Sequence, residues 1–261
     1  MRAAVSAALV LVLAAAVSAQ VPIPSRPDGF AYANGSPAAP LQIDLFVDLL
    51  CPDSQAIWPT LKQVADHYGA PTLRLVTHIF PLPYHHNAYY AAQGTQVVAA
   101  ANVNAVYKWL DAVFAAQDSF EDDPTVNLTS NQVINMYAAL SQTIGVPAAV
   151  FLKGMDSDDT DESARIAWKY GCTRGVAGTP WFFVNGISVA ASSAWSVSDW
   201  VSVLDPLLNS SITRCDSTHR IRYGSLVTDC PAGEIVCNFL PGQSQCCLAG
   251  ENCVPNVGCR C

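Results

Sequence analysis

One cysteine stands where a strand-like segment gives way to a helix-like one. Apolar residues dominate positions 41–50, and Cys51-Pro52-Asp53-Ser54 follows at the start of an amphipathic segment. A thiolate at the start of a helix can attack a disulfide bond, because the helix N-terminus favours negative charge. A hydroxyl cannot resolve the mixed disulfide that such an attack forms, although Ser54 can hydrogen-bond the thiolate. The motif therefore predicts thiol chemistry that uses a single cysteine.

A second cysteine, Cys172, is the candidate partner of Cys51. The chain has ten cysteines, and the other eight all lie after residue 200. If those eight pair among themselves, Cys51 and Cys172 remain as partners or as two free thiols. One interpretation is a split redox pair in which Cys172 resolves the mixed disulfide; the other is that Cys172 is a buried, unreactive cysteine. A disulfide needs Cα atoms within about 7 Å, so their separation decides between the two.

The late cysteines predict a disulfide-stapled tail over residues 211–261. They are Cys215, Cys230, Cys237, Cys246, Cys247, Cys253, Cys259 and Cys261. The adjacent pair in the middle of the last six cysteines resembles the cystine-knot (knottin) miniproteins, and so small a segment needs cross-links to fold. A zinc site is the alternative, but no histidine follows Cys230. The neighbouring His85 and His86 would point apart on a helix, so we predict no metal site.

The first residues have the pattern of a secretory signal. Arg2 precedes an apolar run from Ala3 to Val17, and small residues lead to Ala19, which predicts a signal peptide over 1–19. An uncleaved membrane anchor is disfavoured, because the run is shorter than the roughly 20 residues that span a bilayer. A proline-rich, extended segment over 20–40 follows. We therefore expect a protein that is secreted or lies in the lumen of the secretory pathway, free of the membrane after cleavage.

Charge and glycosylation signals agree with that compartment. The net charge of −8 argues against a nucleic-acid partner, since phosphate binding needs clustered basic residues. Acceptor triplets at Asn127 and Asn209 predict N-linked glycans.

Hydrophobic periodicity predicts an α/β domain over residues 41–210. The expected elements are strands over 41–47 and 72–80, a helix over 51–68, helical structure over about 84–171, an Asn-Gly hairpin over 181–189 and a helix over 198–208. A β-α-β unit followed by a hairpin and a helix predicts layers of helices on one sheet.

Three segments in the right order resemble the DsbA-like branch of the thioredoxin fold. They are Phe46–Ser54, which has the acidic residue and the Cys-Pro turn of that family; His78–Ala88; and Gly175–Gly186. The resemblance implies a thioredoxin-like fold with a helical insertion, and it makes Cys51 the nucleophile. It also implies a cis-proline loop at Thr179-Pro180 that faces this cysteine and pairs its backbone with a substrate peptide. Ser54 departs from the family pattern, which has a second cysteine there.

Further residues join the predicted site. Pro52, Thr179, Pro180 and Trp181 are expected to bind substrate beside the cysteine. Asp48 precedes Cys51 by three residues, and a charged carboxylate at that distance would oppose formation of the thiolate.

Together these features predict a thiol–disulfide oxidoreductase or isomerase without a cofactor. Its expected partners are the thiols and disulfides of proteins or peptides, with glutathione as a further candidate. Two alternatives stay open. One is a catalytically silent module that binds peptides through the Pro180 loop and docks through its tail; the other is a glutathione-dependent transferase or isomerase of the same fold, which leaves the tail unexplained.

Overall fold

A five-stranded sheet of mixed strand directions lies at the centre of residues 23–209. The computed structural model describes these residues and, beyond them, the backbone of four short strands. In chain order the strands of the sheet are β1 (Phe30–Ala31), β2 (Leu41–Val47), β3 (Leu73–Ile79), β4 (Trp181–Val184) and β5 (Ile187–Val189). Their spatial order is β1-β3-β2-β4-β5. Only β2 and β3 are parallel; the other neighbours in this sheet are antiparallel.

The strand register brings two distant loops to one edge of the sheet. Phe46 of β2 lies opposite His78 of β3 and opposite Trp181 of β4. Since β2 and β3 run in the same direction, both end at this edge, and the antiparallel β4 begins there. The turn after β2 and the loop before β4 are therefore neighbours.

Helix α1 (Pro52–Tyr68) connects the two parallel strands. Its apolar residues recur at helical spacing, so that Ile57, Leu61 and Val64 are all buried in the main core. Gly69 ends the helix with a φ of 74°, a left-handed value that favours glycine.

The region between β3 and β4 is helical, as the periodicity predicted. It consists of α2 (Ala88–Asn102), α3 (Val106–Ala115), α4 (Asp122–Thr125), α5 (Ser130–Thr143), α6 (Ala148–Met155) and α7 (Asp158–Thr173). Helix α8 (Val197–Asn209) follows the hairpin. The predicted strands, the first helix and the hairpin are confirmed to within a few residues. Strand β1 was missed, because the proline-rich segment around it indicated only an extended chain.

Two apolar clusters hold the elements together. The larger one contains the buried faces of α1, the helical insertion and most of the sheet. The smaller one consists of Phe46, Cys51, Phe80, Leu82, Val176 and Phe183. Gly171 lets α7 lie close to it, since a Cβ at this position would stand 2.4 Å from the Phe80 ring. Cys51 is thus part of an apolar cluster that lies under α7.

The second unit of the chain is described by its backbone alone. The chain consists of two compact units, Met1–Asp205 and Pro206–Cys261, and the predicted boundary at residue 210 stays a prediction. The strands of the second unit are β6 (Ile235–Leu240), β7 (Gln243–Cys247), β8 (Asn252–Val254) and β9 (Gly258–Arg260). β6 pairs with β7, and β8 pairs with β9 so that Cys253 lies opposite Cys259.

The predicted disulfides of the tail stay predictions. Cys237, Cys246 and Cys247 lie on the strands just described, whereas Cys215, Cys230 and Cys261 lie outside the described residues. The predicted signal peptide over 1–19 also lies outside them.

A buried histidine joins the N-terminal segment to the sheet. His78 is 2% exposed, and its Nδ1 lies 2.7 Å from Asp28 Oδ2 while its Nε2 lies 3.4 Å from Asp44 Oδ1. Its ring stacks on Phe46 with 4.5 Å between centroids. Burial by itself lowers the pKa of His78, but the hydrogen bonds and charges of the two aspartates outweigh burial and raise it above the ordinary value.

We expect this histidine to make stability depend on pH. A raised pKa in the folded state means that the stabilisation is complete below the unfolded value of about 6.5 and is lost as pH rises through the folded value. Asp28→Asn removes a charged hydrogen-bond partner, so at pH 6 it should lower the free energy of unfolding by about 1–2 kcal/mol. The loss should be smaller at pH 9. Urea unfolding at both pH values measures this, with the exposed Asp118→Asn as the control; an equal loss at both pH values would contradict it.

Candidate active site

Cys51 is the N-cap residue of α1 and lies at the sheet edge where the two loops meet. Its backbone is extended (φ −84°, ψ 121°), and Pro52 follows as the first helical residue. The side chain of Cys51 is 5% exposed, and no side chain caps the helix. The first-turn N–H groups of a helix have no acceptor within the helix, so a negatively charged sulfur at this position can accept hydrogen bonds from them.

The loop before β4 touches the thiol directly. The sulfur of Cys51 donates a hydrogen bond to the carbonyl oxygen of Thr179 at 3.3 Å, across 128 residues of sequence. The peptide bond between Thr179 and Pro180 is cis. Trp181 follows as the first residue of β4 and packs against the smaller apolar cluster. Two of the segments singled out in the sequence therefore meet at one sulfur atom.

Asp48 is fully buried, and its carboxylate accepts hydrogen bonds from two loops. Oδ1 accepts from the Leu50 N–H at 2.8 Å. Oδ2 accepts from the Leu82 N–H at 2.8 Å and lies 2.6 Å from Nδ1 of His85. We call these four residues the Asp48 network. It ties the turn that carries Cys51 to the loop that follows β3.

The environment of Asp48 favours its neutral form more than water does. Burial raises the pKa of this carboxyl above the ordinary value. The hydrogen bonds from Leu50, Leu82 and His85 act in the opposite direction without cancelling the effect of burial. Asp48 therefore has a structural role in the turn, and its ionisation depends on the hydrogen bonds that it accepts.

Gln117 supports the Cys51 turn, a role that no sequence pattern indicated. Its side chain is 1% exposed and its amide donates to the carbonyl oxygens of Leu49 at 2.9 Å and Cys51 at 3.2 Å. A lone glutamine in a helical region has no recognisable pattern, and its two acceptors lie 68 and 66 residues away in sequence.

Three buried polar atoms around the thiol lack partners among the described residues. They are Ser54 Oγ, Thr179 Oγ1 and Trp181 Nε1. Ser54 is fully buried in the first turn of α1, whereas Thr179 and Trp181 keep some exposed surface. Buried polar groups in proteins are rarely unpaired, so such a group beside a thiol is available to the sulfur or to a bound chain.

Cys172 lies on α7 and is exposed, whereas Cys51 is buried. Both thiols are free, so the predicted bridge between them is not formed in this structure and stays a prediction for another redox state. Partial burial of the thiol raises the pKa of Cys172 above its ordinary value, although its own backbone hydrogen bond acts in the other direction. Of the two alternatives for Cys172, the buried one is wrong, because its neighbour Gly171 faces Phe80 and leaves the cysteine on the outer side of the helix.

The remaining predicted sites lie apart from Cys51 in the chain. Asn127 is exposed just after α4, which suits a glycan acceptor, while the side chain of Asn209 is not described. Within the described residues, no group of three or more His, Cys, Asp and Glu side chains could hold a metal ion. In the same part of the chain, no helix has the length and apolar character needed to cross a bilayer.

The geometry defines a thioredoxin-like domain with a helical insertion and a cysteine at the start of its first helix. The model of the DSBA-like thioredoxin domain family matches residues 42–204. The chain belongs to this family. A search of curated proteins finds no match.

Solved structures share this fold at low sequence identity. A putative protein-disulfide isomerase from Pseudomonas syringae is 20% identical with a TM-score of 0.59, covering 68% of this chain and 98% of its own. DsbA2 from Pseudomonas aeruginosa is 20% identical with a TM-score of 0.54, covering 73% and 100%. BdbD from Bacillus subtilis, in its oxidised form, is 12% identical with a TM-score of 0.56, covering 70% and 99%. At these identities the likeness shows the fold.

We expect Gln117→Leu to destabilise the domain, because it removes the amide donor from the buried Leu49 carbonyl oxygen and leaves the Cys51 carbonyl oxygen with the Gln55 N–H as its donor. The free energy of unfolding should fall by about 1–3 kcal/mol in urea titrations. Gln142→Leu, on an exposed helical position, is the matched control and should change stability by no more than about 0.5 kcal/mol. Equal stabilities for the two variants would contradict the support that we assign to Gln117.

Proposed function

We propose that this protein exchanges thiols and disulfides in protein or peptide substrates, with Cys51 as the attacking sulfur. One observation carries the proposal. In a DsbA-like domain, the Cys51 sulfur lies at the N-cap of α1, 3.3 Å from the carbonyl oxygen of Thr179 in the cis-proline loop.

The site offers the thiolate several hydrogen-bond donors. The N–H groups of the first turn of α1 have no capping side chain, and the hydroxyl of Ser54 is buried three residues away without a partner in the described part of the chain. A sulfur that ionises loses its bond to the Thr179 carbonyl and gains these donors. The same N-terminal position favours negative charge through the helix dipole.

Exchange begins when the Cys51 thiolate attacks one sulfur of a substrate disulfide. A bond forms between Cys51 and that sulfur, the substrate disulfide breaks, and the second substrate sulfur leaves as a thiolate. Ser54 cannot attack the mixed disulfide, so another thiolate must release Cys51. A second thiolate of the substrate gives isomerisation, and glutathione gives glutathione-linked exchange.

A resolving role for Cys172 is the less favoured form of the proposal. The thiol of Cys172 has a raised pKa, so only a small fraction is thiolate at neutral pH. A split pair of Cys51 and Cys172 would permit net oxidation, which a single thiol does not.

The substrate chain has a place beside the sulfur. β4 begins its pairing at Trp181, which leaves the backbone around Thr179 and Pro180 for an extended peptide, as in strand addition. Pro52 is exposed at the start of α1, and Trp168 of α7 stacks on Phe80 with 40% of its surface exposed. These apolar surfaces suit unfolded or partly folded protein segments.

The secretory pathway is the compartment that fits this chemistry. The signal pattern over 1–19 and the ten cysteines both support it. A luminal location would also supply substrates whose disulfides are still being rearranged.

Cys51→Ala should lower insulin reduction and reactivation of scrambled ribonuclease at least about tenfold, since the thiolate is the nucleophile. Cys172→Ala is the matched control and should keep most of the activity. Loss of activity in Cys172→Ala would favour the split pair instead. A Cys51→Ala variant as active as the parent would overturn the proposal. A parent that is inactive but still binds peptides would also overturn it and would favour the catalytically silent peptide-binding module.

Ser54→Cys should convert exchange into net oxidation, because it supplies the missing resolving thiol. After incubation with oxidised glutathione, the parent should carry glutathione on Cys51, whereas Ser54→Cys should hold an internal disulfide without the adduct. Mass spectrometry of the non-reduced proteins measures both states. Ser54→Ala is the control and should keep the adduct; a parent that never forms the adduct would contradict the single-thiol mechanism.

A further inference from the structure

His85 connects the buried Asp48 to an open cavity beside the candidate nucleophile. Its side chain is 22% exposed. The cavity has a volume of about 320 Å³ and is lined by Leu50, Pro52, His85, Glu121, Asp122 and Asp123. We call it the acidic cavity. Among the described residues, His85 is the one side chain that both contacts the Asp48 carboxylate and lines this cavity.

The hydrogen bonds fix which nitrogen of His85 exchanges protons. Two backbone N–H groups already donate to the Asp48 carboxylate, which therefore acts as an acceptor. His85 Nδ1–H donates the third bond, at 2.6 Å. This leaves Nε2 without a hydrogen-bond partner in the described part of the chain, so a proton from solvent is taken up there.

Acidic groups surround the ring of His85. Asp48 faces the imidazole from the turn after β2, and Glu121, Asp122 and Asp123 face it across the acidic cavity. Burial and the charge of Asp48 raise the pKa of Tyr137 well above its ordinary value, so that phenol stays neutral. The neighbouring Tyr84 contacts His85 with the edge of its ring, at 4.9 Å between centroids.

We propose that His85 is a positioning residue that sets the net charge of the Asp48 network and, through it, the fraction of Cys51 present as thiolate. This inference rests on the proposed function, in which Cys51 is the nucleophile. With Nε2 protonated, the imidazolium cancels the charge of Asp48, and the thiol ionises beside a neutral pair. Once Nε2 loses its proton to water, Asp48 carries an uncompensated negative charge that opposes the thiolate.

His85→Asn tests the proposal, because the Asn amide can keep the bond to Asp48 but cannot take up a proton. The rate at which iodoacetamide alkylates Cys51 is measured from pH 5 to pH 9 in the full-length chain, with Cys51 followed by peptide mass spectrometry. We expect the variant to react roughly three- to tenfold more slowly than the parent at pH 6, as one nearby charge is lost. The two rates should converge at pH 9, where an imidazole is uncharged, as the Asn amide is at every pH. His86→Asn, an exposed neighbour, is the matched control and should follow the parent.

Superimposable pH profiles for His85→Asn and the parent would overturn the role of His85 and leave the proposed function intact. A Cys51 that is not alkylated at any pH in the parent would instead overturn the proposed function. Should His85→Asn fail to fold, the parent itself decides the matter by NMR. The Cys51 Cβ shift must then show a second inflection at the pH where the His85 ring titrates, and a single inflection would overturn the inference.

Discussion

At the end of β2, a carboxylate with no exposed surface accepts hydrogen bonds from two backbone N–H groups and one imidazole. An ionised carboxylate in such a place is tolerated only while these donors stay in position, since the cost of a buried, unpaired charge is several kcal/mol. The turn before Cys51 and the loop after β3 are therefore constrained together. The constraint places the sulfur at the N-cap of α1, and Gln117 fixes the same turn from the helical insertion. The geometry of the site thus depends on long-range polar contacts rather than on the motif alone.

Much of the domain could be predicted because its signals are local. The alternation over Leu41–Val47, the helical spacing after Pro52 and the Asn-Gly turn each reflect a short-range rule, and the structure has these elements. The resemblance in three segments predicted the fold and the proximity of Cys51 to the Thr179-Pro180 loop. In the structure the Cys51 sulfur contacts the Thr179 carbonyl oxygen. Gln117 and the contact between Asp48 and His85 could not be predicted, since they join residues that are far apart in sequence. Strand β1 was not predicted, because the nearby prolines indicated only an extended chain and because just two of its residues pair with β3.

The lack of a second thiol in the Cys51 motif affects which reactions the domain could complete, rather than whether the Cys51 sulfur could react. Ser54 keeps a donor close to the sulfur, and the site holds further unpaired polar atoms on Thr179 and Trp181. Cys172 is exposed on the outer side of α7 and is not bonded to Cys51. The arrangement fits a thiol that forms a mixed disulfide with its substrate and is released by a second thiolate, which the domain itself does not supply. Such chemistry rearranges disulfides without setting their number.

The short outer strands of the sheet would have a consequence under the proposed function, in which the protein handles incompletely folded chains. The outermost strands are short, since β1 spans two residues and β5 spans three. Only two residues of β3 pair with β1, but the other residues of β3 are buried apart from the half-buried Arg74. Long, flat edges are templates on which foreign strands add and aggregates grow. A partly folded client has many unpaired strands of its own, and it would find little of this sheet to extend. Under the proposed function, these short outer strands would limit co-aggregation with client chains and would leave the loop that faces the sulfur as the place for backbone pairing.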